Sequence, residues 1–130
     1  HCSNGRAVAH FLKEHPKVEK VYWPGFETHP NHLIAKKQMR DFGGMISFVL
    51  KDADLKKTFE IASSFQVFSL AESLGGVESL VNHPVTMTHA SIPKPERDKA
   101  GVVDNLLRLS LGVEDIEDLL DDLKRALGEK

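Results

Sequence analysis

Two stretches hold the side chains from which a site could be built: FSLAESLGGVESL, from Phe68 to Leu80, and LLRLSLG, from Leu106 to Gly112. In the second, the two-residue period of a strand puts Leu107, Leu109 and Leu111 on one face and Leu106, Arg108 and Ser110 on the other. The leucine face must turn to the core, which sends Arg108 to the opposite side. There its guanidinium either lies exposed along the sheet or offers a planar fork of donors to a carboxylate, a match that lysine cannot make bidentately. The first stretch sets Glu72 and Ser73 just ahead of Gly75 and Gly76, residues that permit positive φ and close approach of backbone to a ligand. Beyond it, Thr86, Thr88 and His89 add hydroxyl and imidazole groups, each also suited to satisfying loop backbone. His89 reads as a hydrogen-bonded structural histidine before it reads as a catalyst. Together the two stretches are expected to form a pocket for a small anion, with the rest of the chain as scaffold.

Other chemistries find less support. No nucleophile stands beside its base, and Cys2 has no activating neighbour. Glycine-rich phosphate loops of the familiar patterns are absent. His29 and His32 stand three apart in THPNHL, but zinc needs three or four protein ligands, so this segment reads as a loop whose Pro30 enters a helix reaching about Met39.

The elements that must position these residues follow from periodicity and punctuation. Ser3 is a plausible N-cap for a helix carrying Ala7, Val8, Phe11 and Leu12, which Pro16 stops. VEKVYW from Val18 reads as a strand closed by a Pro24-Gly25 turn. MISFVL after Gly43-Gly44 is apolar on both faces apart from Ser47, the pattern of a strand covered on both sides. Asp52 or Asp54 caps a helix through about Ser64, and Gln66 to Ala71 returns to extended character. VNHPVTMTHASIP, interrupted by prolines, reads as a short strand or extended loop, and Pro95 to Lys99 as one or two helical turns. Ile116, Leu119, Leu120, Leu123 and Leu127 mark the apolar face of a last helix. Its acidic start at Glu114, Asp115, Glu117 and Asp118 and its basic end at Lys124 and Arg125 suit the dipole and read as a solvated face. The fold class expected is α+β, one sheet covered largely on one side by helices.

A chain of 130 residues is one domain by length, and 41% hydrophobic with 28% charged residues is the composition of an ordinary globular protein. With 17 basic and 19 acidic side chains and no basic stripe interleaved with aromatics, nucleic acid is a poor partner. A single cysteine excludes an internal disulfide and suits a reducing, cytoplasmic setting. No apolar run approaches the ~20 residues of a membrane span, and no signal peptide opens the chain. A start at His1 followed at once by a helical pattern looks like a cut through a longer polypeptide.

The same motifs carry a resemblance. FSLAESLGGVESLVNHPVTMTHAS, then LLRLSLGVEDIEDLLDDL, with HCSNGRAVAHFLKEHPKVEKVYWPG and THPNHLIAKKQM before them, closely resembles the C-terminal domain of the pyridoxal-phosphate-dependent Cys/Met metabolism family, the trans-sulfuration enzymes. AESLGG with its glutamate is most similar to the cystathionine γ-lyase and γ-synthase branch. The resemblance implies the small domain of a fold-type I enzyme, a mostly antiparallel sheet with helices on one side. It implies that Arg108 holds the substrate α-carboxylate, that Ser73 and Leu74 line the site, that Glu72 influences which distal group is accepted, and that Thr88 supports the wall. It also implies pyridoxal phosphate as cofactor, a homotetramer, and C–S bond cleavage or formation in cysteine and methionine metabolism. The Schiff-base lysine and the other cofactor-holding groups belong to the family's preceding large domain, so residues 1–130 alone are expected to be inactive. The competing expectation is a non-catalytic interaction or oligomerisation module, marked by apolar surface left where the large domain packs.

Overall fold

The computed structural model describes residues 2–26, 32–38, 43–51, 54–70, 79–84, 95–96 and 104–128. Helix α1 (Cys2–Glu14) runs through Ser3, so Ser3 lies inside its first turn and does not cap it; helix termini shift by a residue or two where the cap is not fixed by a side-chain bond. The helix buries Val8, Ala9 and Leu12, and Pro16 prevents its continuation. Strand β1 (Val18–Tyr22) follows, then α2 (His32–Gln38) and β2 (Met45–Leu50). Helix α3 (Leu55–Ser64) is capped by Asp54, whose side chain accepts from the Lys57 N–H at 2.7 Å. Strands β3 (Ser69–Leu70), β4 (Leu80–Asn82) and β5 (Leu106–Ser110) lead to α4 (Ile116–Leu127). Asp115 caps α4, accepting from the Glu117 N–H at 2.8 Å.

The strands form one five-stranded sheet in the order β1-β2-β5-β4-β3, antiparallel throughout except for the parallel β3–β4 pair. Thus β2 is internal and β5 is central; of β2's two faces, Ile46, Phe48 and Leu50 are buried in the core, while Met45 and Ser47 on the other are only half-buried. The alternation in LLRLSLG has the expected sense: Leu107, Leu109 and Leu111 join Ile46, Phe48, Leu50 and Val81 in the core. The buried faces of α1, α3 and α4, including Leu12, Ala62, Leu119, Leu123 and Leu127, close the core from that one side. Among the described residues, no helix is long and apolar enough to cross a membrane.

Candidate functional site

Register sets what stands on the other face of the sheet. Arg108 on β5 lies opposite Ser47 on β2 and Asn82 on β4, and Ser47 lies opposite Tyr22 on β1. Directly paired residues share a face, so Tyr22, Ser47, Arg108 and Asn82 form a polar row across four adjacent strands, on the side away from the helices. Arg108 is half-buried within this row, and among the described residues its guanidinium has no hydrogen bond, ion pair or ring contact. A half-buried fork of donors with no partner in a polar row can accept a carboxylate without displacing any intramolecular bond.

The two stretches of interest come together. Leu80, which ends FSLAESLGGVESL, pairs with Ser110, and Asn82 two residues on pairs with Arg108 itself. At the other end of the stretch Ser69 pairs with Leu80, and the Ser69 N–H donates to the Ser79 carbonyl at 3.0 Å. The two ends of the stretch are thus adjacent parallel strands, and β4 is the neighbour of the arginine strand. Glu72, Ser73, Leu74, Gly75 and Gly76 lie outside the described residues, as do Thr86, Thr88, His89 and His29. His32 is described, and its Nδ1 hydrogen-bonds the Pro24 carbonyl at 2.7 Å.

Two carboxylates that the sequence suggested as part of a solvated face, or left unremarked, anchor both ends of this stretch. Asp122 on α4 is 0% exposed. It accepts from the backbone N–H groups of Gln66, Val67 and Phe68 at 2.9, 2.7 and 2.9 Å, and also pairs with Arg125. Glu114 accepts from the Ser79 N–H and from the Ser79 hydroxyl, both at 2.7 Å. The Ser79 hydroxyl in turn accepts from the Gly112 N–H at 2.8 Å. Asn4 on α1 completes the junction, its Nδ2 donating to the Gly112 and Glu114 carbonyls at 3.1 and 2.8 Å. Burial pushes the Glu114 carboxyl up, but the bonds from the Ser79 N–H, the Ser79 hydroxyl and its own backbone N–H outweigh that and hold it below the ordinary glutamate value. The signal for Asp122 was present in the sequence: an acid three residues after Leu119 and next to Leu123 lies at the edge of the apolar face. Its partners, more than fifty residues away, were not.

Pyridoxal phosphate requires a desolvated amine for its aldehyde. Every described lysine is exposed except Lys124, which is half-buried on α4. The described residues therefore do not by themselves fit the cofactor.

The Cys/Met metabolism PLP-dependent enzyme family model matches residues 1–128. Cystathionine beta-lyase of Coxiella burnetii is 58% identical over 127 residues, covering 98% of this chain and 33% of that protein. L-methionine gamma-lyase of Fusobacterium nucleatum subsp. polymorphum is 52% identical over 128 residues, covering 98% and 32%. The crystal structure of cystathionine gamma synthase from Xanthomonas oryzae pv. oryzae in complex with cystathionine superposes with a TM-score of 0.89 at 46% identity, over 97% of this chain and 32% of that one. The chain thus spans about a third of the length of the relatives it matches. On sequence and on fold alike, it belongs to the Cys/Met metabolism PLP-dependent enzyme family.

Proposed function

We propose that this chain is the C-terminal substrate-binding domain of a PLP-dependent enzyme acting on sulfur-bearing amino acids, with Arg108 binding the substrate α-carboxylate. The observation that carries this reading is the guanidinium of Arg108, which has no partner among the described residues, in the middle of the sheet, on the polar face and beside the strand that ends FSLAESLGGVESL. Ser73 and Leu74 line the same site, Glu72 acts on the distal end of the substrate, and Thr88 supports the wall. The cofactor and its lysine come from a preceding part of the polypeptide, so residues 1–130 alone are inactive. The intact enzyme is a cytoplasmic homotetramer.

The reaction is cleavage or formation of a C–S bond. Glu72 in AESLGG favours the γ position, whereas the relatives are named for both β- and γ-elimination. Products decide between them: γ-cleavage of cystathionine releases cysteine and 2-oxobutyrate, and β-cleavage releases homocysteine and pyruvate. In the polypeptide that joins the cofactor-bearing part to this chain, Arg108→Lys keeps the charge and loses the fork. It is expected to cost about 2–4 kcal/mol in kcat/KM, mostly through KM. Unchanged KM and kcat for cystathionine would remove the carboxylate role. Leu33 and Ile34 on α2 are 74% and 55% exposed, apolar surface that suits the packing of the large domain or of a second copy equally.

A further inference from the structure

We infer a second binding site, for a small organic polyanion, on the helix side of the sheet and independent of the Arg108 reading. A cleft of about 470 Å³ opens between the α1–β1 turn, the end of β2, Lys57 and Ile61 on α3, and the C-terminal end of α4, within the ~300–1,000 Å³ of small-molecule sites. Leu50 and Ile61 give it an apolar part, Lys17, Lys51, Lys57 and Arg125 give it four cations, and among the described residues that line it there is no carboxylate. Lys17 and Lys51 are held as neighbours, the Lys51 N–H donating to the Lys17 carbonyl at 2.8 Å. Arg125 pairs with Asp122, while the three lysines form no ion pair.

Asp122 already offsets Arg125, but the three lysines round the cleft repel one another, and a bound anion relieves that repulsion. Lys17 and Arg125 also have a local reason for their place, since they stand at the carbonyl end of α4, which favours positive charge. Lys57 has none: it lies in the first turn of α3, where the dipole opposes a cation. Lys51, directly after β2, caps no helix carbonyl. Neither charge is matched by an ion pair among the described residues or by a favourable helix end, so both remain available to a ligand. A bounded cleft with an apolar part and several cations suits a compact molecule bearing two or more phosphate or carboxylate groups on a short carbon body. An extended acidic protein segment fits it less well.

Isothermal titration of the full chain with inorganic pyrophosphate tests the site, with hexaglutamate as the peptide comparison. Pyrophosphate is expected to bind and to weaken with added salt. Lys51→Ala and Lys57→Ala should each weaken it roughly three- to tenfold, the scale of one lost charge-assisted contact. Lys51→Glu combined with Lys57→Glu should abolish it, whereas Lys13→Ala, on α1 and outside the cleft, should leave it unchanged. All three lysine positions concerned are exposed, and circular dichroism of each variant verifies the fold. Absence of pyrophosphate binding at millimolar concentration would overturn the site. So would equal weakening by Lys13→Ala, or binding of hexaglutamate alone.

Discussion

Thr58 and Arg108 are both polar groups without a partner, and burial separates their meanings. The Thr58 hydroxyl is fully buried in α3 with no hydrogen bond, so it carries a desolvation cost that water does not relieve. Thr58→Val keeps the shape and removes the hydroxyl, and is expected to raise stability by about 1 kcal/mol; a lower urea midpoint in the variant would contradict this. Arg108 keeps partial access from the polar face, and so is available to a ligand. Its direction was legible in the sequence because a strand has a period of two and three leucines fix which face is inside. The place of Asp122 at the edge of an apolar face was legible too, but its partners and those of Glu114 were not, since nothing local names a backbone N–H dozens of residues away.

Helix α4 does more than cover the sheet. Through Asp122 it caps the turn at residues 66–68, which feeds β3, with three backbone N–H groups converging on one carboxylate. Asp122→Asn leaves the packing in place but removes the charge and part of the acceptor capacity. The expected loss is about 2–3 kcal/mol, the scale for hydrogen bonds to a buried charged group. Chemical denaturation measures it, and an unchanged midpoint would show the cap to be dispensable. Element type was readable from pattern for α1, β1, β2, α3, β5 and α4, each of which has its own periodicity or cap. In the extended reading of Gln66 to Ala71, residues 66–68 form a turn organised by Asp122 and not by pairing, the strand begins only at Ser69, and Ala71 lies outside the described residues. Nor does anything local reveal that β3 and β4 run parallel.

For the molecule as a whole, Glu114 and Asn4 join α1, the exit of β5 and the start of β4 at one point. Because the folded Glu114 carboxyl is held below its ordinary value, its contribution is fully present above the unfolded glutamate pKa of about 4.3 and is lost as pH falls through the folded value. Thermal unfolding followed across that acidic range should show a decline in midpoint that is shallower in Glu114→Gln, with the variant less stable at neutral pH. Parallel pH profiles for the two proteins would dismiss the linkage. A single sheet with helices on one side was visible in the sequence because alternation and helical stripes agree on one core. Strand order was not, since the pairing of Val49 with Leu106 and of Val81 with Leu109 depends on chain return over long separations.

The central position of β5 has a consequence for biosynthesis. As the chain leaves the ribosome, β1 and β2 can pair early and β3 can meet β4, but these remain two separate ribbons until Leu106–Ser110 emerges and inserts between them. Glu114 and Asp122 follow later still. The wall beside Arg108 is therefore the last part of the sheet to be secured, and until then the nascent chain exposes two unpaired strand edges, at which another chain can add.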